Sequence, residues 1–166
     1  MNYSRRGVMA GAAAGLAALA SAGAGIAAEP VLTLRNPAIS GPHGEILFSR
    51  ADLEALEQSV LRTGNSFIDS VAEFRGPSAF QVVDMIGRAG ANHVRLVAVN
   101  DYFVEIEIAE LEKYRPVLAL EMDGKPLSRR DKGPIWLMYP IDSYPELQDS
   151  VYNSRLIWQL RTIELF

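Results

Sequence analysis

Three stretches of the chain concentrate side chains able to recognise a flat, polar small molecule. "VNDYFVEI" carries Asn100, Asp101 and Tyr102, "RRDKGPIW" carries Arg129, Arg130, Lys132 and Trp136, and "YNSRLIWQL" carries Tyr152, Asn153, Arg155 and Trp158. Amide, carboxylate and guanidinium groups match the donors and acceptors on the edge of a heterocycle. Aromatic rings cover its faces, and each stack contributes about 1–3 kcal/mol by analogy with base stacking. In this reading Asn100, Asp101 and Tyr102 hold the ring edge and Trp136 stacks on its face. Arg129, Lys132 and Arg155 then meet oxygen or phosphate groups, the usual partners of guanidinium and ammonium. The plainer reading stays equally open: both tryptophans belong to the core, and the cations are solvated at turns.

Other chemistries find less support. His43 sits in a Gly/Pro turn and His93 opens a strand, with no His-x-x-x-His or His-carboxylate spacing of the metal-binding kind. No serine lies in a G-x-S-x-G elbow, although the members of a Ser-His-Asp triad can be distant in sequence. Glu105 and Glu107 share one face of a strand, as paired carboxylates or as ordinary solvated acids. No dinucleotide-binding or phosphate-binding glycine loop occurs. The chain has no cysteine, which removes thiolate metal ligands, cysteine nucleophiles and disulfides together.

The elements that must position these residues follow from periodicity and turn chemistry. "VLTLRNP" and "EILFS" read as short strands around a Gly/Pro turn. Ser49 with Asp52 forms a capping-box pattern, and Leu53, Leu56, Val60 and Leu61 predict a helix over 50–62, ended by Gly64-Asn65. "SFIDSVAEFRG" is extended. "PSAFQVVDMIGRAG" is a second helix, with Pro77 in its first turn and Gly90 as its stop. "HVRLVAVN" and "YFVEIEI" form a strand pair joined around Asn100-Asp101, the second strand alternating between a dry and a wet face. "AELEKY" is a short helix. "PVLALEM" and "KPL" flank an Asp123-Gly124 hairpin turn. "PIWLMYP" is a strand, 145–152 is helical, and "SRLIWQLRTIELF" is a final strand. Strands outnumber helices in irregular order, which predicts an α+β fold with a mixed, mainly antiparallel sheet and flanking helices.

Residues 1–28 read as an export signal: a short basic start, an Ala/Gly/Leu middle and small residues at the end. Arg5-Arg6 after Ser4 resembles the twin-arginine form, with Sec export the alternative. Cleavage is expected after Ala27 or Ala28, an uncleaved anchor being the other possibility, and leaves 29–166 as one domain. Without Arg5 and Arg6 the chain keeps 14 of its 16 basic side chains against 20 acids, a formal charge of −6. That balance argues against nucleic acid as a partner.

From about residue 67 to 165 the chain resembles the molybdopterin-binding domain of sulfite-oxidase-type proteins. The segments that carry the resemblance are "EFRGPSAFQVVDMIGRAGA", the run from Val94 to Pro140, and "RLIWQLRTIEL". The run from Val94 to Pro140 is the specific part, with Asn100 to Tyr102, the Leu118 to Leu127 hairpin and the Gly133 to Pro140 strand. The resemblance implies a pterin or molybdopterin-like ligand. It also implies a molybdenum-binding cysteine near Thr63 to Phe67, where this chain has none, so thiolate-held molybdenum and any other protein-ligated metal are not expected. The chain is similar to small exported members of the fold, periplasmic pterin-binding regulators. What that implies is a binding protein that signals to the periplasmic domain of a membrane-bound protein making or degrading cyclic di-GMP. The alternatives are a molybdopterin-dependent oxidoreductase or its subunit, and an interaction module with a vestigial pocket.

Overall fold

The computed structural model describes residues 29–166. The expected export signal lies outside the described residues. Along the chain run β1 (Pro30–Arg35), β2 (Glu45–Ser49), α1 (Arg50–Ala55), β3 (Gln58–Thr63), β4 (Ala72–Pro77) and α2 (Ala79–Asp84). Then come β5 (His93–Ala98), β6 (Phe103–Glu107), α3 (Ile108–Tyr114), β7 (Val117–Ala119), β8 (Glu121–Met122) and β9 (Lys125–Pro126). β10 (Trp136–Met138), α4 (Ser150–Arg155) and β11 (Leu160–Leu165) complete the order. The fold is α+β, as expected from the strand-rich, irregular pattern.

A five-stranded sheet has the order β2-β1-β11-β5-β6. β1 and β11 pair in parallel, with Thr33 opposite Thr162, and every other pairing is antiparallel. In β6, Val104 and Ile106 are buried while Phe103, Glu105 and Glu107 are exposed, so one face of the sheet is dry and the other wet. Glu105 is paired across the strands with Arg95 at 2.7 Å. A four-stranded sheet, β3-β4-β8-β9, and the β10-β7 pair enclose the other side of a core that includes Phe74, Leu96, Leu118, Trp136 and Ile163. Gly76 is required where β4 passes β7, because a Cβ there would sit 1.9 Å from the Leu118 carbonyl oxygen. The Asp123-Gly124 hairpin forms as expected, with φ of 50° and 70°.

Several boundaries differ from the sequence reading: α2, expected to run to Gly90, ends at Asp84, and the extended stretch expected from Ser66 begins only at Ala72. The helix expected over 50–62 stops at Ala55. Its Ser49–Asp52 capping box forms, but Gln58 Nε2 donates to the carbonyls of Leu53 and Leu56 at 2.9 and 2.8 Å and closes the helix. The following residues pair in full register with β4, from Gln58 opposite Pro77 to Thr63 opposite Ala72. Pro77 ends β4 instead of opening α2, whose N-cap is Ser78. Ser154 and Arg155 belong to α4 and not to the final strand, which begins at Leu160.

Candidate ligand-binding cleft

The cleft is built from three connections, two of them held by short polar side chains. At the β5–β6 turn, Asn100 Oδ1 accepts from the Tyr102 backbone N–H at 3.2 Å, and Asp101 takes the left-handed conformation (φ 65°) that Asp tolerates. This turn sends Tyr102 sideways, where its hydroxyl donates to the Ser154 carbonyl of α4 at 2.9 Å. The second connection follows β3. Asn65 Oδ1 accepts from the Phe67 N–H at 2.8 Å, and Ser66 Oγ donates to Asn153 Oδ1 at 3.1 Å. The third is the run out of α4, where Trp158 forms an isolated bridge with Trp136.

These connections enclose a cavity of about 190 Å³. Ala98, Leu156 and Ile157 are its buried lining. Phe67, Tyr102 and Trp158 stand around them at 37, 46 and 36% exposure. The Phe67 and Trp158 rings meet edge to face, 5.0 Å between centroids. Asn100, Asn153 and Ser154 supply the polar atoms. The space is below the roughly 300–1,000 Å³ of sites for drug-sized ligands, and suits a compact flat ring.

The residues singled out from sequence separate here. Asn100 and Tyr102 line the cleft. Asp101 instead pairs with Arg161 at 2.6 Å. Arg129 and Lys132 do not line the cleft. They lie on the short helical turn Arg129–Asp131 and its end, and their backbone carbonyls accept from the side chain and the N–H of Gln159, next to Trp158. The Lys132 ammonium lies over the Trp136 ring, 5.1 Å from its centroid.

Two expectations are corrected. Trp136 offers no face for stacking: it is 1% exposed, its ring meets Phe74 at 5.5 Å, and its N–H donates to the Leu156 carbonyl at 3.0 Å. Trp158 is the tryptophan that reaches the cleft. Arg155 does not present its charge there either. It is paired with Glu110, which also accepts from the Tyr139 hydroxyl at 2.6 Å. Burial lowers the Arg155 pKa, and the bond and charge of Glu110 more than offset this and leave it raised. Burial, then Glu110, pushes the Tyr139 phenol well above its ordinary value, and burial also raises Tyr152. Arg155 thus ties α4 to α3 through Glu110, while Asn153 and Ser154 of the same helix line the cleft.

Phe67 was legible in sequence only as part of an extended stretch. The Asn-x-Phe spacing of a side-chain-capped turn was the available signal. Phe67 closes the Thr63 to Phe67 segment, where the resemblance implied a cysteine. That segment offers amide and hydroxyl groups, and Gly64 N–H donates to Asp142 Oδ2 at 2.7 Å. Among the described residues no group of three His, Asp or Glu is placed to hold a metal. These donors do not fit a thiolate-held molybdenum centre.

No family model matches the chain, and no curated protein matches it. Among solved structures, the chain is similar to the sulfane dehydrogenase SoxCD from Paracoccus pantotrophus, with a TM-score of 0.57 and 13% identity. The likeness covers 81% of this chain and 37% of that one, so the chain spans little more than a third of the dehydrogenase's length. At this identity the likeness shows the fold.

Proposed function

We propose that this chain is a binding protein for a pterin-type heterocycle, seated in the cleft between Tyr102, Phe67 and Trp158. The observation that carries the reading is the grouping of these half-exposed aromatic rings with two side-chain amides over an apolar floor. Flat ligands take such sites by stacking, with a few polar groups fixing their orientation. The sulfite-oxidase-type resemblance and the shared fold with a sulfane dehydrogenase support a pterin over other flat rings. In this reading the chain is exported to the periplasm, carries no thiolate-held molybdenum, and presents its occupied cleft to the periplasmic domain of an inner-membrane cyclic di-GMP signalling protein.

The test is direct. Protein purified from the periplasm is denatured, and the released small molecules are identified by mass spectrometry. A pterin at near-equal molar amount supports the reading, and titration of stripped protein with reduced pterins then quenches Trp158 emission to saturation. No pterin released and no saturable quenching refutes it. The fold likeness to a dehydrogenase keeps an oxidoreductase as the second reading. Stoichiometric molybdenum in the same preparation supports that one instead.

A further inference from the structure

Both cleft amides use their oxygen within the protein, and Asn100 is held in one sense by a partner that can only donate. Asn100 Oδ1 is occupied by the Tyr102 N–H, and Asn153 Oδ1 by the Ser66 hydroxyl. Turning Asn100 over would place its amide N–H against the Tyr102 N–H, whereas the Ser66 hydroxyl can accept as well as donate, so Asn153 is less strictly oriented. Their Nδ2 groups make no hydrogen bond among the described residues. The Tyr102 hydroxyl proton is already given to the Ser154 carbonyl. Among the described residues no charged side chain lines the cleft. The nearby Arg155 and Arg161 are paired with Glu110 and Asp101. The side-chain amides therefore offer two unengaged N–H groups while each oxygen already accepts one hydrogen bond, and among the described residues no carboxylate lines the cleft to receive an amino group.

We infer that Asn100 and Asn153 are the specificity-determining residues of the cleft, and that they take a neutral heterocycle by an edge of carbonyl or ring-nitrogen acceptors. This rests on the pterin reading of the cleft and names the edge that is recognised. Asn100 is exposed and Asn153 half-buried until a ring covers them, and a polar group that a ligand covers without pairing it lowers the affinity for that ligand. A pterin with its 4-oxo group meets two donors. A 2,4-diaminopteridine of the same shape sets an amino group against an amide N–H.

The experiment compares 6,7-dimethylpterin with 2,4-diamino-6,7-dimethylpteridine by quenching of Trp158 in the full chain. It uses the wild type, Asn100→Asp and Asn153→Asp. Aspartate keeps the oxygen that accepts from Tyr102 or Ser66 and replaces only the donor, so the turns are preserved, and unfolding midpoints check this. The wild type is expected to prefer the 4-oxo compound by at least about tenfold. Each Asp variant is expected to narrow or invert that preference, a change a merely structural role would not produce. Equal binding of both compounds by the wild type overturns the inference and leaves the pterin reading standing. An unchanged preference in both folded Asp variants overturns it as well. If neither compound nor any reduced pterin binds, the pterin reading fails and the inference falls with it.

Discussion

Replacing the two tryptophans will separate binding from folding. Trp158 is 36% exposed, and its backbone makes the bridge to Trp136, so Trp158→Ala removes the ring and leaves the chain path intact. A full stack is worth about 1–3 kcal/mol. Most of the indole is already covered, in part by Phe67, so the lower part of that range applies, about 1–2 kcal/mol. At 1.4 kcal/mol per decade this weakens pterin binding by roughly 5- to 30-fold, with a smaller loss of stability than truncating a fully buried tryptophan. Trp136 behaves in the opposite way. Loss of a buried Trp costs about 3–5 kcal/mol, and the Leu156 carbonyl would lose its donor. That rivals the whole stability of an ordinary domain, so Trp136→Phe is the usable variant, with an expected loss of about 2–3 kcal/mol. Isothermal titration gives the affinities and urea unfolding the stabilities. A folded Trp158→Ala variant that binds as tightly as wild type refutes the assignment of the cleft.

The Glu110–Arg155 pair is partly screened, at 15 and 22% side-chain exposure. Glu110→Gln should therefore lower stability by about 2–3 kcal/mol in urea unfolding, less than a fully buried broken pair. Burial, reinforced by Glu110, holds the Tyr139 phenol in its protonated form, whereas an unfolded tyrosine titrates near pH ~10. Its stabilising effect is thus complete below about pH 10 and is lost as pH rises from there towards the folded value. Tyr139→Phe should flatten the fall of the urea midpoint measured from pH 9 upward. Arg129 and Lys132 reach the cleft region through backbone carbonyls, so Arg129→Ala with Lys132→Ala should leave the affinity for a phosphate-free pterin within about twofold, read by the same titration.

Much of the frame could be read from local pattern, because local physics decides it. The alternation in Tyr102 to Ile108 marks a strand with one dry face, and Asp123-Gly124 can adopt the two positive φ values that its hairpin requires. The stretch from Leu53 to Leu61 misled because its apolar spacing suits a helix, while pairing with β4 decides the outcome after Leu56. The site was half legible for a similar reason. Asn100 and Tyr102 sit on a turn that their own chemistry shapes. Trp136 and Trp158 look alike in one dimension, and only the tertiary fold places one in the core and leaves the other at the surface. Arg155 looked available because Glu110, which neutralises it, lies far away in sequence.

The parallel pairing of β1 with β11 has a consequence for how the molecule is made. β11 separates β1 from β5, so the large sheet is two fragments until the latest strand arrives. During synthesis, the first hairpin waits with a naked backbone edge while nearly all the intervening chain is added. Such an edge is an open invitation to self-association. Pairing across this sheet is therefore deferred until β11 has been made, and any factor that guards the nascent chain must shield β1 and β2 until then.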